Sequence, residues 1–320
     1  MGEQCLQLAK QGHDTARLLE AHHTLWTTPF LMGELPLARI HLEQGLALLA
    51  LCDPQQHRTL AVIYGHDPGV CCRGGAAVVL WMLGYPDQAL RQLHAAHALA
   101  QEVAHPPSLA FAQMLTAIAY QLRRETDAAH EQAEALIALA MEQGFALFLA
   151  IGGIMRGATR TALGPRGEQI RQIRQDLAAV RETGSAVWEP YFLGLLADVY
   201  AQDGQVEVGL ATLDEALAAQ STGQRLVEAE LYRLRGSLLL QSGTPPAESE
   251  AWLQRALDVA RRQEAKSLEL RAAMSLSRLW HQQGKRKEAH DLLAEVFAWF
   301  TEGFGTADLQ EAKALLEELA

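Results

Sequence analysis

The chain has few cysteines and no long apolar runs. Four cysteines in 320 residues are too few for a disulfide framework, so we expect a reducing environment. The longest apolar runs, near residues 76–83 and 145–151, fall well short of the roughly 18 residues that span a bilayer. The polar N-terminal stretch MGEQCLQLAKQGHD does not match a secretory signal. These absences predict a cytoplasmic protein that does not contact membranes.

Positive charge is scarce, and nucleotide-binding motifs are absent. The net charge of −11 argues against a nucleic-acid binder, because phosphate neutralisation needs a basic surface. No GxxxxGK[ST] phosphate loop occurs, and the stretch LGPRGEQI lacks both its lysine and its spacing. No Ser/His/Asp or Cys/His set has a spacing that stands out from background. We therefore predict a chain that is not an enzyme, with no catalytic residues and no cofactor.

What the sequence does contain is a repeated helical pattern. Ala, Leu, Gln, Glu and Arg dominate, and these residues favour helix. A turn residue recurs between two helical stretches, first after a gap of 51 residues and then every 39 to 41 residues. The turn positions are Gly33, Gly84, Arg124, Gly164, Gly204, Gly243 and Gly284. So steady a period predicts a solenoid of helix–turn–helix repeats.

These repeats resemble the tetratricopeptide repeat (TPR), which has a WxxLGxxY first helix and an Ala-centred second helix. The leading Trp is usually absent here, and the period of about 40 is longer than 34. The longer period looks like the superhelical sensor domain of the maltose-regulon transcription activator. The stretches DPQQHRTLAVIYGHDPGV, PYFLGLLADVYAQDGQ, EAELYRLRGSLLLQSG and GFGTADLQEAKALLEEL are similar to another repeat region. It lies C-terminal in bacterial proteins that join a class III adenylate/guanylate cyclase domain to a signal-transduction ATPase (STAND). That resemblance implies a sensor or scaffold role without catalysis.

We expect an all-α fold, a right-handed superhelical solenoid of about seven TPR-like repeats in a single domain over residues 1–320. Residues 1–12 are interpreted as a fragment of a preceding repeat, 13–305 as the seven repeats and 306–320 as a closing helix capped by Thr306. Trp26 occupies a close-packing position and Pro29 interrupts the first helix. The N-terminal end should therefore be the least stable part, and any self-association should use it and leave the closing helix free.

The first helix of each TPR-like pair lines the concave face, where ligands and peptides bind. On this rule the candidate binding residues form an apolar set followed by a charged set. They are Val78, Trp81, Phe111, Met114, Ile118, Ile151, Ile154, Glu230, Arg233, Arg271, Arg278 and His281. Such a groove suits an amphipathic segment of a protein partner. The alternative is a tight superhelix whose apolar side chains are buried against one another.

Two functions follow from this surface. One is an interaction scaffold that contacts a protein or peptide partner, including domains upstream in a longer parent. The other is a small-molecule sensor that controls a linked ATPase or cyclase. A closed cavity of a few hundred Å³ would favour the sensor, and an open groove would favour the scaffold.

The stretch DPGVCCRGG, from Asp67 onward, is interpreted as the start of a repeat helix. Asp67 and Pro68 form its cap and first turn, and the adjacent thiols of Cys71 and Cys72 point about 100° apart, which suits a metal poorly. Packing or solvated roles are also favoured for the remaining polar features, so no metal site is predicted. Those features are His22, His23, His94, His97, Arg171, Arg174 and Arg181.

Overall fold

The chain forms helices joined by short turns. The computed structural model describes residues 2–12, 14–159, 166–219 and 223–320, and within these ranges there are seventeen helices and no strand. The first nine are α1 (Gly2–Gln11), α2 (Thr15–Met32), α3 (Leu35–Leu49), α4 (Pro54–Tyr64), α5 (Pro68–Met82), α6 (Pro86–Val103), α7 (Pro106–Leu122), α8 (Thr126–Gln143) and α9 (Ala146–Thr159). The others are α10 (Arg166–Glu182), α11 (Glu189–Gln202), α12 (Val206–Ala219), α13 (Glu228–Gln241), α14 (Pro246–Arg262), α15 (Lys266–Gln282), α16 (Arg286–Phe297) and α17 (Ala307–Leu319).

Helices on either side of each turn pack against each other: α2 with α3, α5 with α6, α7 with α8, α9 with α10, α11 with α12, α13 with α14 and α15 with α16. Most turns reverse the chain through a glycine with positive φ, such as Gly84 at 88°, because glycine has no Cβ to clash there. Arg124 adopts φ 63° at the equivalent position. Gly164 lies outside the described residues. The all-α solenoid of TPR-like pairs is confirmed.

Helix α4 explains the first, longer interval of 51 residues. Asp53 caps this helix in a reciprocal arrangement with Gln56, which is the capping box. Asp67 then caps α5 and accepts a hydrogen bond from the Val70 amide, as the sequence predicts. Helix α4 packs against α5 and α6, so an extra helix stands between the first two pairs.

Small residues allow the helices to approach closely. A Cβ added to Gly74 would lie 2.6 Å from Leu115 Cδ1, and one added to Gly75 would lie 2.6 Å from the Trp26 ring. Trp26 is only 3% exposed, because the large ring fits over Gly75. Helix α2 continues to Met32 with Pro29 in its last turn.

The second helical pair meets the last part of the chain across the superhelical turn. Ser267 Oγ on α15 donates to the backbone oxygen of Trp81 at 2.5 Å. The Glu302 carboxylate accepts from the amide of Asp87 at 3.0 Å, and the Gly303 amide donates back to Asp87 Oδ2 at 3.0 Å. These contacts join segments more than 180 residues apart, so they close the solenoid on itself.

The closing helix α17 takes part in this closure. Arg124 pairs with Asp308 at 3.1 Å, Arg271 with Asp308 at 2.8 Å, and Arg278 with Glu311 at 2.6 Å. Three arginines from other helices and turns therefore hold α17 within the chain, and the expectation that self-association leaves α17 free stays a prediction. Thr306 does begin the helix, but its hydroxyl donates to the Gly303 oxygen and caps no amide. None of the described helices is long and apolar enough to cross a membrane.

Candidate functional site

The apolar candidates from the sequence are mostly core residues. Val78, Trp81, Met114, Ile118, Ile151 and Ile154 are each at most 3% exposed, and Phe111 is half-buried against the same core. A ligand could reach them only by displacing side chains that already pack together. This arrangement corresponds to the tight superhelix rather than to an open apolar groove, and their binding role stays a prediction.

The charged candidates lie together on the inner side of the later repeats. Glu230 receives two hydrogen bonds from Arg233, at 2.9 and 2.7 Å. Arg271 lies 3.8 Å from the Glu230 carboxylate and stacks over the Trp81 ring at 4.9 Å. With Asp308 and Asp198 these residues form what we call the central ionic cluster, which brings α11, α13, α15 and α17 together.

Asp198 and Tyr191 were missed by the sequence reasoning, although a signal for them exists. The charged candidates occupy positions 13, 10, 6 or 3 residues before the turn glycine. In α11 the same positions are Tyr191, Gly194, Asp198 and Ala201. Tyr191 donates its hydroxyl hydrogen bond to Gln121 Oε1 at 2.8 Å. Applying the positional rule to every repeat would have included both residues.

The central ionic cluster borders a small cavity of about 70 Å³. The cavity is lined by Met82, Gln121, Leu122, Tyr191, Gly194, Leu195, Asp198, Val227, Glu230, Leu231, Arg233, Leu234, Leu268 and Arg271. A water molecule occupies about 30 Å³ of liquid volume, so this space suits one or two waters. It is far below the few hundred Å³ that a metabolite needs.

Burial and charge act in opposite directions on the two carboxylates beside the cavity. Burial alone would raise the pKa of Glu230, but the positive charges of Arg233 and Arg271 outweigh it and hold the pKa at about 2. Burial raises the pKa of Asp198, and the arginines offset this only in part. Burial also raises the pKa of Tyr191. Glu230 is therefore the firmly ionised partner in the cluster.

Outward from the central ionic cluster the charges become accessible. Arg124 and Arg278 both pair with Glu311, and the side chains of the three residues are 39 to 48% exposed. His281 lies 3.6 Å from Glu318, and the His281 side chain is 36% exposed. We call these five residues the polar rim. The rim therefore presents solvent-accessible charged groups of both signs.

The other polar motifs are dispersed. Arg181 pairs with Glu189 and Glu215 at 2.5 Å, while Arg171 and Arg174 are exposed. His97 lies 3.0 Å from the Gln101 amide. Cys71 and Cys72 are buried free thiols.

Sequence comparison identifies a distant relative but no protein family. No protein-family model matches the chain. An uncharacterized protein of Rhizobium meliloti is 25% identical over 265 residues, which cover 82% of this chain and 25% of that protein. The chain thus spans about a quarter of that relative's length.

Solved structures show similar folds. The Rap conjugation gene regulator of plasmid pLS20, in complex with the Phr* peptide, has a TM-score of 0.63 at 11% identity and covers 97% of this chain and 77% of its own. A STAND protein with a tetratricopeptide repeat sensor from Pyrococcus horikoshii has a TM-score of 0.48 at 14% identity. That match covers 96% of this chain and 49% of that protein. These are TPR-like repeat proteins.

Proposed function

We propose that the chain is a non-catalytic interaction module of bacterial signalling, and that it binds a charged segment of a protein or peptide through the polar rim. The observation that carries this proposal is the position of Glu311 between two guanidinium groups, those of Arg124 and Arg278. All three side chains are accessible to solvent. A carboxylate of a partner fits the same place by replacing Glu311.

Because the ion pairs of the rim are exposed, each holds its partner weakly, at about 0 to 1 kcal/mol. Exchange for a partner's carboxylate is therefore inexpensive, whereas the half-buried pair Glu230–Arg233 stays fixed. The rim also joins the α7–α8 turn to α17. A segment that displaces Glu311 would loosen the closure of the solenoid, which gives binding a structural consequence.

The similar Rap regulator was solved with a peptide, which supports a peptide-sized partner. The partner segment could belong to another chain or to domains upstream in a longer protein, as the resemblance to cyclase–ATPase fusions suggests. The small-molecule sensor has less support at this site, because the cavity beside the central ionic cluster is about 70 Å³.

The test is selection of binders from a library of charged peptides against the purified chain, followed by affinity measurement with the double variant Arg124→Ala/Arg278→Ala. We expect selected peptides rich in Asp and Glu to bind the double variant at least tenfold more weakly. The control is Arg171→Ala/Arg174→Ala, which removes the same charge from exposed positions of α10 and should leave affinity unchanged. Equal loss in both variants would show non-specific attraction and contradict the proposal.

A further inference from the structure

Three elements of the N-terminal half bring metal-binding side chains to one point. His23 lies on α2, His66 in the turn between α4 and α5, and Cys71 on α5. One ligand atom from each of these residues lies within 4.8 Å of the other two. Glu20, one helical turn before His23, faces the same point. We call Glu20, His23, His66 and Cys71 the His–Cys cluster.

The spacing within the cluster is that of ligands around one ion. His66 Nε2 lies 3.2 Å from His23 Nδ1. Glu20 places Oε1 3.4 Å from His23 Nδ1 and Oε2 3.4 Å from His66 Nε2. With Zn–N and Zn–O bonds of about 2.0 to 2.2 Å, adjacent ligands of a tetrahedral ion stand roughly 3.3 to 3.6 Å apart. The edge between the two imidazoles and one edge from a Glu20 oxygen are therefore already near their final length.

One carboxylate oxygen of the cluster lacks a hydrogen bond of good geometry. Glu20 Oε2 is buried and accepts no hydrogen bond of good geometry, although His66 Nε2 is near. A buried polar atom without a partner costs about 1 to 3 kcal/mol, so natural structures usually provide one. An ion between Glu20, His23 and His66 would satisfy this oxygen and both imidazole nitrogens at once.

We propose that the His–Cys cluster binds a zinc ion. Two imidazole nitrogens, one thiolate and one carboxylate are all ligands that Zn²⁺ accepts in a tetrahedral site. Cys71 is 2% exposed, and its sulfur lies within 4.8 Å of both imidazole ligand atoms, so it would move inward to reach a bond of about 2.3 Å. On binding, the Cys71 thiol releases its proton to solvent and the sulfur lone pair forms the bond to zinc.

Such an ion would tie together α2, α5 and the segment around α4. This part of the chain carries many exposed apolar side chains, and a cross-link by metal would stabilise it, because a ligand that binds only the folded state adds to the free energy of unfolding. The site does not depend on the polar rim, which lies on other elements, so the two proposals fail or succeed separately.

The first experiment titrates the full metal-free chain with Co²⁺ as a spectroscopic substitute for zinc. We expect one equivalent to bind, with a thiolate-to-cobalt charge-transfer band and visible bands of tetrahedral intensity. Zn²⁺ added to the cobalt-loaded chain should displace the cobalt. Zn²⁺ added to the metal-free chain should raise its melting temperature. Absence of the charge-transfer band, or its persistence in Cys71→Ser, would overturn the proposal.

Matched variants separate binding from folding. Cys72→Ser removes the neighbouring buried thiol and should keep the charge-transfer band, whereas Cys71→Ser should lose it. If Cys71→Ser does not fold, His66→Gln gives the second test, because this half-buried turn residue tolerates replacement. His66→Gln should weaken Co²⁺ binding at least tenfold, and the control His94→Gln, at an exposed position, should not. Equal affinity in the two His variants would overturn the site.

Discussion

The N-terminal and C-terminal ends of this solenoid are built differently. Helices α1–α4 and their turns expose many large apolar side chains. Helices α13–α17 expose none, although Phe304 is exposed in the turn before α17. Among the described residues, eight of the thirteen exposed large hydrophobics lie before residue 65: Leu8, Met32, Leu37, Ile40, Leu51, Val62, Ile63 and Tyr64. The N-terminal end is therefore the more apolar of the two surfaces.

The C-terminal end is held by charge instead. Asp308 and Glu311 of α17 receive Arg124, Arg271 and Arg278, and Arg286 donates to the backbone oxygens of Glu318 and Leu319 at the end of α17. Such pairs bridge helices far apart in sequence. The end of α2 is also anchored at long range, because the backbone oxygen of Leu31 accepts hydrogen bonds from the amides of Arg225 and Leu226 at 2.8 and 3.1 Å. The comparison teaches that side-chain ion pairs anchor the last helix, whereas backbone hydrogen bonds anchor the end of α2.

The largest expected contrast is in amide hydrogen exchange. In a monomer freed of metal, residues 1–45 should exchange fastest and about residues 110–280 slowest. The free energy of local opening ranges from near zero at frayed ends to the full free energy of unfolding in the core. Where this opening free energy is lower by about 4 kcal/mol, amide exchange is about a thousandfold faster. Exchange measured by mass spectrometry checks this. Equal protection of the first 45 residues would show that the N-terminal end is not the weak one.

The next effect concerns the closure. Arg271 is 11% exposed, pairs with Asp308 and lies near Glu230. Arg271→Ala leaves the buried carboxylate of Asp308 with only the exposed Arg124 as a partner, while Glu230 keeps Arg233. We therefore expect a loss of about 3 kcal/mol in the free energy of unfolding. Denaturant titration measures it. Arg262→Ala removes an exposed arginine whose guanidinium lies 3.9 Å from the Glu228 carboxylate. Because this ion pair is long and exposed, its loss should change stability by less than about 1 kcal/mol. Similar losses in both variants would refute the closure argument.

The sequence predicts local structure well here and distant contacts poorly. Turn glycines such as Gly84 and caps such as Asp67 depend on neighbouring residues only, and both are found where the pattern predicts them. The contact of Asp87 with Glu302 spans 215 residues, and depends on superhelical pitch, which no local pattern specifies. For the same reason the approach of His23 to His66 was missed: an unpredicted helix, α4, brings His66 to α2.

A smaller effect separates the two carboxylates at the cavity. Glu230 has a folded pKa of about 2 against 4.5 for an ordinary Glu, so its contribution to stability is full above pH 4.5 and is lost as the pH falls towards 2. Glu230→Gln should cost about 3 kcal/mol at pH 7 and flatten this acid dependence. Urea titrations between pH 7 and 2 measure both.

Asp198 should behave in the opposite sense. Since burial raises its pKa, the folded state disfavours its charge, and stability rises as the pH falls and the carboxyl is protonated. Asp198→Asn should therefore raise the free energy of unfolding at pH 7 and leave it unchanged in acid. A loss of stability in Asp198→Asn at pH 7 would show that the Asp198 charge is needed by Arg233.

The smallest effects compare close packing at the two ends. An added Cβ at Gly75 meets the Trp26 ring at 2.6 Å, while at Gly236 it meets Leu253 at 2.8 Å and the Ser249 backbone oxygen at 3.1 Å. The Trp26 ring lies on α2 and can shift with that helix. The Ser249 backbone lies within the packed pair of α13 and α14 and cannot shift in this way. We expect Gly75→Ala to cost about 1 kcal/mol and Gly236→Ala about 2 to 3 kcal/mol. Gly167→Ala, with open space around its Cβ, should gain up to about 0.5 kcal/mol. A larger cost at Gly75 than at Gly236 in urea titrations would mean that the N-terminal pair is packed as rigidly as the later ones.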